Sequence, residues 1–424
     1  MPQIPFAKGH DLQQLWSALS VKTQAAFDAI TRTGTMKLVS PQTAIAPGLV
    51  PIRATWPAMP TDDSRATAAE LLEVAGGLLL ADVPFHEFGA SPIADTVAST
   101  LARFGADYPG PTTAAGLFRR AAADGGPFVS QLLLQPAPPD FGARTTRLRT
   151  GAYGTDPAEL NQIHAGNVPR VQTFGPPRLA FTPRALASMV HQDRPYALGL
   201  QAAWILAQRV PLSPRFPALR NEAGFVTHGG AVDLDCAVAE VTREAMRQCW
   251  YLKLLVGRRR RPEGMQRWPG ITLHGDYEAL GGPILDLLPN RLLPMVYAEG
   301  APGHSSWPSG HAVIGGAVAT LLKAWFADGD WAGLTGLPLQ ESRDGVILTP
   351  VTGTSTVHQE LNKLAWCYGQ GRVFGGIHFR SDCTAGLALG EEVALRWLSQ
   401  QQGRQRERLG SVSFWRFDGT GVIA

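Results

Sequence analysis

The stretch that decides the fold is residues 307–326, WPSGHAVIGGAVATLLKAWF. After Gly310 it is apolar on every side rather than along one stripe, which is typical of a helix buried inside a domain. Its start combines proline, serine and glycine, residue types that commonly stand at a helix N-terminus. The stretch therefore predicts a buried helix that begins at Ser309-Gly310.

Helical periodicity recurs on both sides of this stretch. Thr67-Ala-Ala-Glu70 matches a capping box at the start of a helix, and Thr182-Pro183 places an N-cap before a proline. Residues 238–256 carry apolar side chains at three-to-four spacing up to Gly257, and a last long helix is predicted at about 381–400. The dominant period is helical, so the sequence predicts a mainly α fold.

Other signals concern strands, loops and a boundary. The best strand signal is the tail VSFWRFDGTGVI, which predicts a short β hairpin around Asp418-Gly419. Periodicity weakens near 150–180, which divides the chain into an N-terminal helical region, 1–175, and a C-terminal helical region, 176–424, within one compact unit. Long loops rich in proline and glycine are predicted at 41–63, 135–143, 211–222 and 282–310.

Composition limits the functional classes. The chain has 424 residues, of which 45% are apolar and 17% charged, as in globular proteins. A net charge of +3 gives no bulk electrostatic reason to bind nucleic acid. No run approaches the length of a membrane span, and MPQIPFAKGH lacks the pattern of a signal peptide. We therefore expect no membrane association and a cytoplasmic location, with export by another route left open.

The four cysteines show neither CxxC pairs nor the spacing of a disulfide framework. Buried free thiols in a reducing compartment are the favoured interpretation. A disulfide between subunits stays an alternative.

The first segment that carries chemistry is KLLVGRRRRP, residues 253–262. Alone, four consecutive arginines are more typical of a solvated basic patch or a nucleic-acid signal. The apolar helix before them and Pro262 directly after them favour at least one fixed arginine. Arginine suits an oxyanion because its planar fork donates paired hydrogen bonds.

The second segment is HSSWPSGH, residues 304–311. Free N–H groups and the helix dipole at Ser309-Gly310 form an anion site, to which the serine hydroxyl adds a hydrogen bond. His311 would lie beside the anion as a proton donor or acceptor. The alternatives are a plain N-cap with an incidental histidine and, for His304, an ordinary surface histidine.

The third segment is RVFGGIHFRSD, in which Arg372 precedes His378 by six residues and Asp382 follows it by four. A histidine there is a candidate ligand for the central atom of an anion, although in isolation the pattern is weak and favours a structural Arg–Asp ion pair. Taken together, the cations Lys253, Arg261 and Arg372 match the needs of a buried dianionic tetrahedral oxyanion.

The combined pattern resembles that of the vanadium-dependent haloperoxidases, whose site architecture is shared with bacterial acid phosphatases. The family pattern is Lys…Arg-Pro, then Pro-Ser-Gly-His, then Arg-x5-His-x3-Asp, and every position is filled here. The resemblance is closer to the bromoperoxidases of red and brown algae and their cyanobacterial relatives, because the step from Lys253 to Arg261 is eight residues. Similar motifs include WYxK, PMxxAEGxPxHxSxxxGHA, ELNKLA, HxRSD and a terminal FDGT.

This resemblance implies two four-helix bundles with long loops, a vanadate cofactor and a role for each matching residue. His378 would be the axial vanadium ligand, His311 the acid–base residue, and Asp193 the aspartate that orients it. His304 matches a histidine typical of bromoperoxidases, and Trp250 matches a tryptophan that lines the pocket. The residues that would hydrogen-bond the vanadate oxygens are Lys253, Arg261, Ser309, Gly310 and Arg372.

The implied reaction uses hydrogen peroxide to oxidise bromide or iodide to hypohalous acid, which halogenates small organic acceptors. In it Lys253 would also bind the peroxide, and the protein would form a dimer or a larger homo-oligomer. The first alternative is an acid phosphatase with His378 as nucleophile, against which the eight-residue step and His304 argue. An anion-binding scaffold without catalysis is disfavoured because no motif position is lost, and a nucleic-acid role depends only on the arginine run.

Overall fold

The computed structural model shows a protein built mainly from α-helices. It describes residue 25 and residues 51–52, 57–121, 124–136, 144–192, 196–216, 229–257, 259–266, 275–404 and 409–424. The described helices are α1 (Arg65–Leu79), α2 (Pro92–Ala102), α3 (Gln131–Leu134), α4 (Pro157–His164), α5 (Pro183–Gln192), α6 (Ala197–Arg209), α7 (Ala231–Tyr251), α8 (Pro262–Met265), α9 (Gly275–Leu285), α10 (Gly310–Trp325), α11 (Trp331–Thr335), α12 (Val357–Phe374) and α13 (Arg380–Arg404).

Within the described residues the strands form short two-stranded antiparallel sheets. They are β1 (Thr146–Thr150) with β2 (Thr173–Arg178), β3 (Leu339–Glu341) with β4 (Leu348–Pro350), and β5 (Ser413–Trp415) with β6 (Gly421–Ile423). The pairs β3–β4 and β5–β6 are hairpins, whereas β1 and β2 are connected through α4. The mainly α class with minor hairpins is confirmed. The predicted tail hairpin is β5–β6, and its turn uses Gly419 at a positive φ of 84°.

Helix α10 lies at the centre of a four-helix bundle. It packs against α7, α12 and α13, and nearly all of its side chains are buried, as its apolar sequence predicts. Glycines bring α10 and α13 into close contact: a Cβ on Gly316 would lie 2.4 Å from the carbonyl of Leu387, and one on Gly390 would lie 2.1 Å from that of Val313. Only glycine fits at such crossings, so these positions fix how close the two helices lie.

A second group of helices, α1, α2 and α9, packs beside the bundle, and α1 also touches α12. The hydrophobic core runs without interruption from Ala68 in α1 to Phe414 in β5. Burial of each large apolar side chain in such a core contributes about 1.5–3 kcal/mol. The second four-helix bundle and the boundary near 175 stay predictions.

Most predicted helix ends are close to the observed ones. Helix α5 begins at Pro183, with the Thr182 hydroxyl accepting the N–H of Ala185. Helix α7 continues through one π turn, Leu252–Val256, and ends at Gly257. Helix α13 extends the predicted 381–400 to Arg380–Arg404.

The capping box at Thr67–Glu70 was a wrong prediction. Helix α1 begins at Arg65, and its N-cap is Ser64, whose hydroxyl accepts the N–H of Thr67. Glu70 is buried and turned towards other helices instead of reaching back to the cap. A capping box does occur, unpredicted, at Thr356 and Gln359 of α12.

Three other predictions concern the loops, thiols and membrane spans. The loop predicted at 282–310 begins only after Leu285, and the loops at 41–63, 135–143 and 211–222 lie partly outside the described residues. Cys249, Cys367 and Cys383 are buried free thiols as predicted, whereas Cys236 is exposed. Across the described part of the chain, no helix has the length and apolarity needed to span a membrane.

Candidate active site

The three sequence segments meet where α10 and α13 begin. The backbone N–H of Ser309 donates to the carbonyl of Asp382 at 2.9 Å, which joins the second segment to the third. Ser306 N–H donates to the carbonyl of Arg259 at 3.1 Å, which joins the second to the first. These backbone contacts collect a lysine, two arginines and three histidines from distant parts of the sequence in one buried region.

His378 is held by hydrogen bonds at both ring nitrogens. Nδ1 lies 2.9 Å from the carboxylate of Asp382, and Nε2 lies 2.8 Å from Nη1 of Arg261. Because a carboxylate accepts and a guanidinium donates, the proton sits on Nδ1 and Nε2 keeps its lone pair. Burial and the nearby Arg261 charge lower the pKa of His378 well below its usual value, so the ring is neutral. This is the tautomer of a histidine that ligates through Nε2.

Asp382 is fully buried and remains charged. Its Oδ2 accepts from His378 and from the N–H of Phe379, and its Oδ1 accepts from Nη1 of Arg259 at 3.0 Å. Burial opposes the charged form, but the Arg259 guanidinium and these hydrogen bonds outweigh it and hold the pKa of Asp382 well below its usual range. The aspartate therefore orients the histidine rather than merely pairing with an arginine.

Lys253 lies in the π turn that follows α7. Its Nζ donates to the carbonyls of Ser305 at 2.8 Å and Ser306 at 3.0 Å. Burial lowers its pKa to about 7, with further lowering by the Arg261 charge. Among the described residues its third N–H has no acceptor, so an anion in the site would both receive that bond and favour the charged lysine.

Arg261 points its fork into the same region. Its Nε and Nη2 reach the carbonyl and Nδ1 of His304, at 3.1 and 3.0 Å, and its Nη1 reaches the carbonyl of Ile377 at 2.8 Å. Burial lowers its pKa to about 9, which still leaves the group charged near neutrality. Its companions in the arginine run face elsewhere: Arg259 binds Asp382 and Arg260 pairs with Asp62.

Arg372 lies on α12 and is held from the side by a histidine. Its Nη1 is 2.9 Å from Nδ1 of His191, whose Nε2 donates to Glu299 at 2.7 Å. The guanidinium also lies over the ring of Tyr297, 5.1 Å from its centroid. Its buried Nε has no hydrogen-bond partner among the described residues.

The start of α10 supplies uncharged donors. The Ser309 hydroxyl is buried and has no hydrogen-bond partner of normal geometry among the described residues, with only the weak Cys383 thiol beside it. Unlike most N-cap serines, it does not bond to the first turn of its own helix. A Cβ at Gly310 would make ordinary 3.7 Å contacts with Met246 and Cys249, so the protein itself does not require glycine there.

Two further histidines border the site. His311 Nε2 donates to the carbonyl of Val190 at 2.8 Å, which leaves a lone pair on Nδ1. Nδ1 of His304 lies between Nη2 of Arg261, at 3.0 Å, and the carbonyl of Ser305, at 3.1 Å, and its ring packs edge-to-face against Trp250, with ring centroids 4.8 Å apart. Burial and nearby cations lower the pKa of both histidines well below the usual value, so both are neutral.

The structure thus brings together nine of the ten predicted site residues, while Asp193 lies outside the described residues. The sequence interpretation assigned no role to His191, Glu299, Tyr297 or Arg259. Signals for three of them existed, because His191 stands two residues before Asp193, and Tyr297 and Glu299 both lie inside the motif PMVYAEG. Their functions depend on contacts across the fold, which spacing alone does not reveal.

Comparisons with known proteins point to one family. The family model described as the VCPO second helical-bundle domain matches residues 271–405. A vanadium-dependent bromoperoxidase of Corallina pilulifera is 36% identical over 282 residues, 58% of this chain and 46% of that protein. A vanadium-dependent bromoperoxidase of Corallina officinalis is 34% identical over 282 residues, which again are 58% of this chain and 46% of that protein. The match therefore spans less than half the length of the Corallina proteins.

A longer match comes from Ascophyllum nodosum. Its vanadium-dependent bromoperoxidase is 31% identical over 423 residues, which cover 86% of this chain and 73% of that protein. The homohexameric second bromoperoxidase of the same alga has the same fold, with a TM-score of 0.82 at 24% identity over 99% of this chain and 83% of that one. With this coverage and the three motifs gathered in one site, the chain belongs to the vanadium-dependent haloperoxidase family.

Proposed function

We propose that the protein is a vanadate-dependent haloperoxidase that uses hydrogen peroxide to oxidise bromide, and also iodide, to hypohalous acid. The observation that carries the proposal is the lone pair of His378 Nε2, which faces Arg261 in a buried region rich in cations. The names of the similar algal proteins support the same activity. Organic acceptors would then be halogenated by the released product.

The residues present fit a vanadate ion. Its negative charge needs several donors in a buried place, and the site offers groups whose hydrogen-bonding capacity is unused. Ser309 Oγ and Arg372 Nε are buried without partners of normal geometry among the described residues. Burying a polar group without a hydrogen bond costs about 1–3 kcal/mol, and a bound ligand that accepts from these groups would remove that cost. His378 Nε2 would hold the vanadium, and the donors to its oxygens would be Lys253, Arg261, Ser309, Gly310 and Arg372.

Bound vanadate would supply a Lewis acid that activates peroxide for attack by halide. The protein side chains would supply charge and proton transfer around it. His311 is neutral with its Nδ1 lone pair available, so it would take a proton from incoming hydrogen peroxide. Lys253, with a pKa of about 7, would donate a hydrogen bond to the oxygen that the halide attacks. Such acid–base help contributes roughly 10²–10⁴-fold.

The preference for bromide is supported by the rim of the site. His304 Nδ1 lies 3.0 Å from the donor Nη2 of Arg261 and 3.1 Å from the carbonyl of Ser305; in the tautomer that accepts from Arg261, its Nε2 would donate to an anion. Trp250 packs edge-to-face on this ring and would shape the halide pocket.

We propose a dimer or larger homo-oligomer, with no nucleic-acid or membrane partner. A cytoplasmic location stays a prediction.

The direct test is bromination of monochlorodimedone with hydrogen peroxide, with and without orthovanadate. We expect turnover only with vanadate, with bromide and iodide used far better than chloride. Chloride turnover equal to that of bromide would refute the role given to His304. A His378→Ala protein with full vanadate-dependent bromide oxidation would refute the proposal itself.

The same assay series distinguishes the phosphatase alternative. The lone pair of His378 Nε2 is also suited to attack a phosphate ester, with His311 as the leaving-group acid. Vanadate-free protein should hydrolyse p-nitrophenyl phosphate slowly at most. Fast hydrolysis together with absent bromide oxidation would make the phosphatase the main activity.

A further inference from the structure

Arg259, the second arginine of the run, is a buried cation that faces away from the proposed vanadate site. Its side chain has no solvent exposure, and its guanidinium joins two carboxylates: Nη1 reaches Asp382 Oδ1 at 3.0 Å and Nη2 reaches Glu70 Oε2 at 2.8 Å. It also lies 4.0 Å from the ring centroid of Phe379. The group is thus held on three sides.

From this geometry we propose that Glu70 and Arg259 are positioning residues for His378, acting through Asp382. The two oxygens of Asp382 are divided between the two partners: Oδ1 binds Arg259, and Oδ2 binds His378 Nδ1. A rotation of the carboxylate that weakens one bond must weaken the other. Arg259 therefore fixes the plane of the carboxylate, and the carboxylate fixes the tautomer and orientation of the imidazole.

Glu70 completes the arrangement from α1. Its Oε2 accepts from Arg259 and from the Ser381 hydroxyl at 2.7 Å, and its Oε1 accepts from the N–H of Ser381 at 2.6 Å. Ser381 immediately precedes Asp382, and its hydroxyl also accepts from Arg259 at 2.6 Å. Glu70 thus holds both the arginine and the backbone from which Asp382 projects.

The chain contains a matched control for this network. Glu73 lies one turn further along α1 and pairs with Arg380 at 2.6 Å, with side chains as buried as those of Glu70 and Arg259. Arg380 otherwise reaches the carbonyl of Arg119 and the rings of Tyr108 and Trp366. Both pairs tie α1 to the beginning of α13, but only the Glu70 pair leads to Asp382.

The experiment compares Glu70→Gln with Glu73→Gln in the full chain. The first readout is ¹⁵N NMR of histidine-labelled, vanadate-free protein, with the His378 signals assigned from His378→Ala. We expect one Nδ1–H tautomer in the wild type and in Glu73→Gln, and a mixture in Glu70→Gln. The second readout is the vanadate dissociation constant, which should rise about 10–100-fold for Glu70→Gln alone, as for other outer partners of ligating histidines.

Arg259→Lys is a second test that keeps the buried positive charge. An ammonium is a point charge that cannot reproduce the fork between two carboxylates, so the same mixed tautomer and weaker binding are expected. Melting temperatures of all variants separate this effect from general destabilisation. The inference is overturned if the His378 tautomer and the vanadate affinity are unchanged in either variant, or if Glu73→Gln weakens binding as much as Glu70→Gln.

The inference rests on the proposed function, in which His378 is the vanadium ligand. The proposed function and the positioning role of Glu70 and Arg259 can nevertheless be refuted separately. Wild-type protein that binds vanadate without oxidising bromide would refute the function, while the affinities and tautomers still test the positioning pair. A Glu70→Gln protein with normal tautomer and affinity would refute the positioning pair even if the wild type were an active haloperoxidase.

Discussion

The backbone N–H of Ser309 lies 2.9 Å from the carbonyl of Asp382, so the N-cap residue of α10 is hydrogen-bonded to the first turn of α13. This contact ties Ser309 to Asp382, the residue whose side chain binds His378. It also occupies the Ser309 N–H, which therefore is not available to an anion. Among the described residues the next N–H groups, those of Gly310, His311 and Ala312, have no acceptor, so they are the ones that would bind an anion at this end of the helix.

Replacing Ser309 by alanine should affect stability and ligand binding in opposite directions. The hydroxyl is buried without a normal partner, so its loss should leave the free energy of unfolding unchanged or raise it by up to about 1 kcal/mol. Oxyanion binding loses one hydrogen bond to a charged group, which is about 1.5–3 kcal/mol, or roughly tenfold or more in affinity. Urea unfolding and vanadate titration measure the two quantities.

Ser64→Ala is the matched control for this substitution. Ser64 is the N-cap of α1, and its hydroxyl accepts the Thr67 N–H at 3.1 Å. Its loss should cost about 1 kcal/mol, as for ordinary N-caps, and leave vanadate affinity unchanged. If Ser309→Ala destabilises the protein as much as Ser64→Ala does, the Ser309 hydroxyl has a partner within the protein and our interpretation is wrong.

Lys253 should take up a proton when an oxyanion binds. With a pKa of about 7 it is largely neutral at pH 8 in the free protein, whereas an adjacent anion favours its charged form. Binding at pH 8 should therefore be accompanied by net proton uptake, and affinity should fall as the pH rises above 7. Calorimetry with sulfate in buffers of different ionisation enthalpy gives the number of protons, because sulfate itself does not titrate there.

Two variants at this position serve as controls. Lys253→Arg remains charged throughout and should bind without proton uptake at this pH. Lys253→Met has no charge to gain and should bind more weakly, again without uptake. Uptake that persists in Lys253→Met would assign the proton to a neighbouring histidine instead.

Glu299 should support oxyanion binding although it is partly exposed and does not face the pocket directly. It accepts from His191 Nε2, which keeps Nδ1 of that ring as the acceptor for Arg372. Glu299→Ala removes the acceptor, allows the other tautomer, and turns an N–H towards the guanidinium. We expect up to about tenfold weaker vanadate binding, at the lower end of the effects of outer partners.

Glu299→Gln distinguishes the hydrogen bond from the charge. Its amide oxygen still accepts from His191, so the affinity should stay near that of the wild type. The charge itself is present at neutral pH, since the hydrogen bond from His191 and the nearby Arg149 charge lower the pKa of Glu299 to about 2 despite burial. Equal losses in the alanine and glutamine variants would show that charge, not tautomer, is what matters.

The sequence was sufficient to predict the elements that depend on local patterns. The buried helix α10, the proline start of α5 and the Asp418-Gly419 hairpin follow from periodicity and from residues with restricted backbones. Lys253, Arg261, Arg372 and His378 were predictable because their types and order match one family. These features are encoded within a few neighbouring residues or in a fixed succession of motifs.

Features that depend on contacts across the fold were not predictable. The N-cap of α1 was assigned wrongly because Ser64 and Thr67 both suit the position, and only the packing of Glu70 against Arg259 decides between them. Arg259 itself looked like part of a basic patch. Its two carboxylate partners, Glu70 and Asp382, are 189 and 123 residues away, and no local pattern records such distances.

Two glycines of α10 should respond differently to alanine. At Gly316 a Cβ would lie 2.4 Å from the backbone of Leu387, so α10 and α13 would have to separate. Overpacked sites cost about 1–3 kcal/mol or more. We therefore expect Gly316→Ala to lower the free energy of unfolding by several kcal/mol. At Gly310 a Cβ would meet only Met246 and Cys249 at 3.7 Å, and alanine should be neutral or stabilising by up to about 1 kcal/mol. Urea unfolding of both variants measures the difference, and a Gly310→Ala loss as large as that of Gly316→Ala would contradict it. If Gly310→Ala is stable yet binds vanadate poorly, the glycine is required by the ligand rather than by the fold.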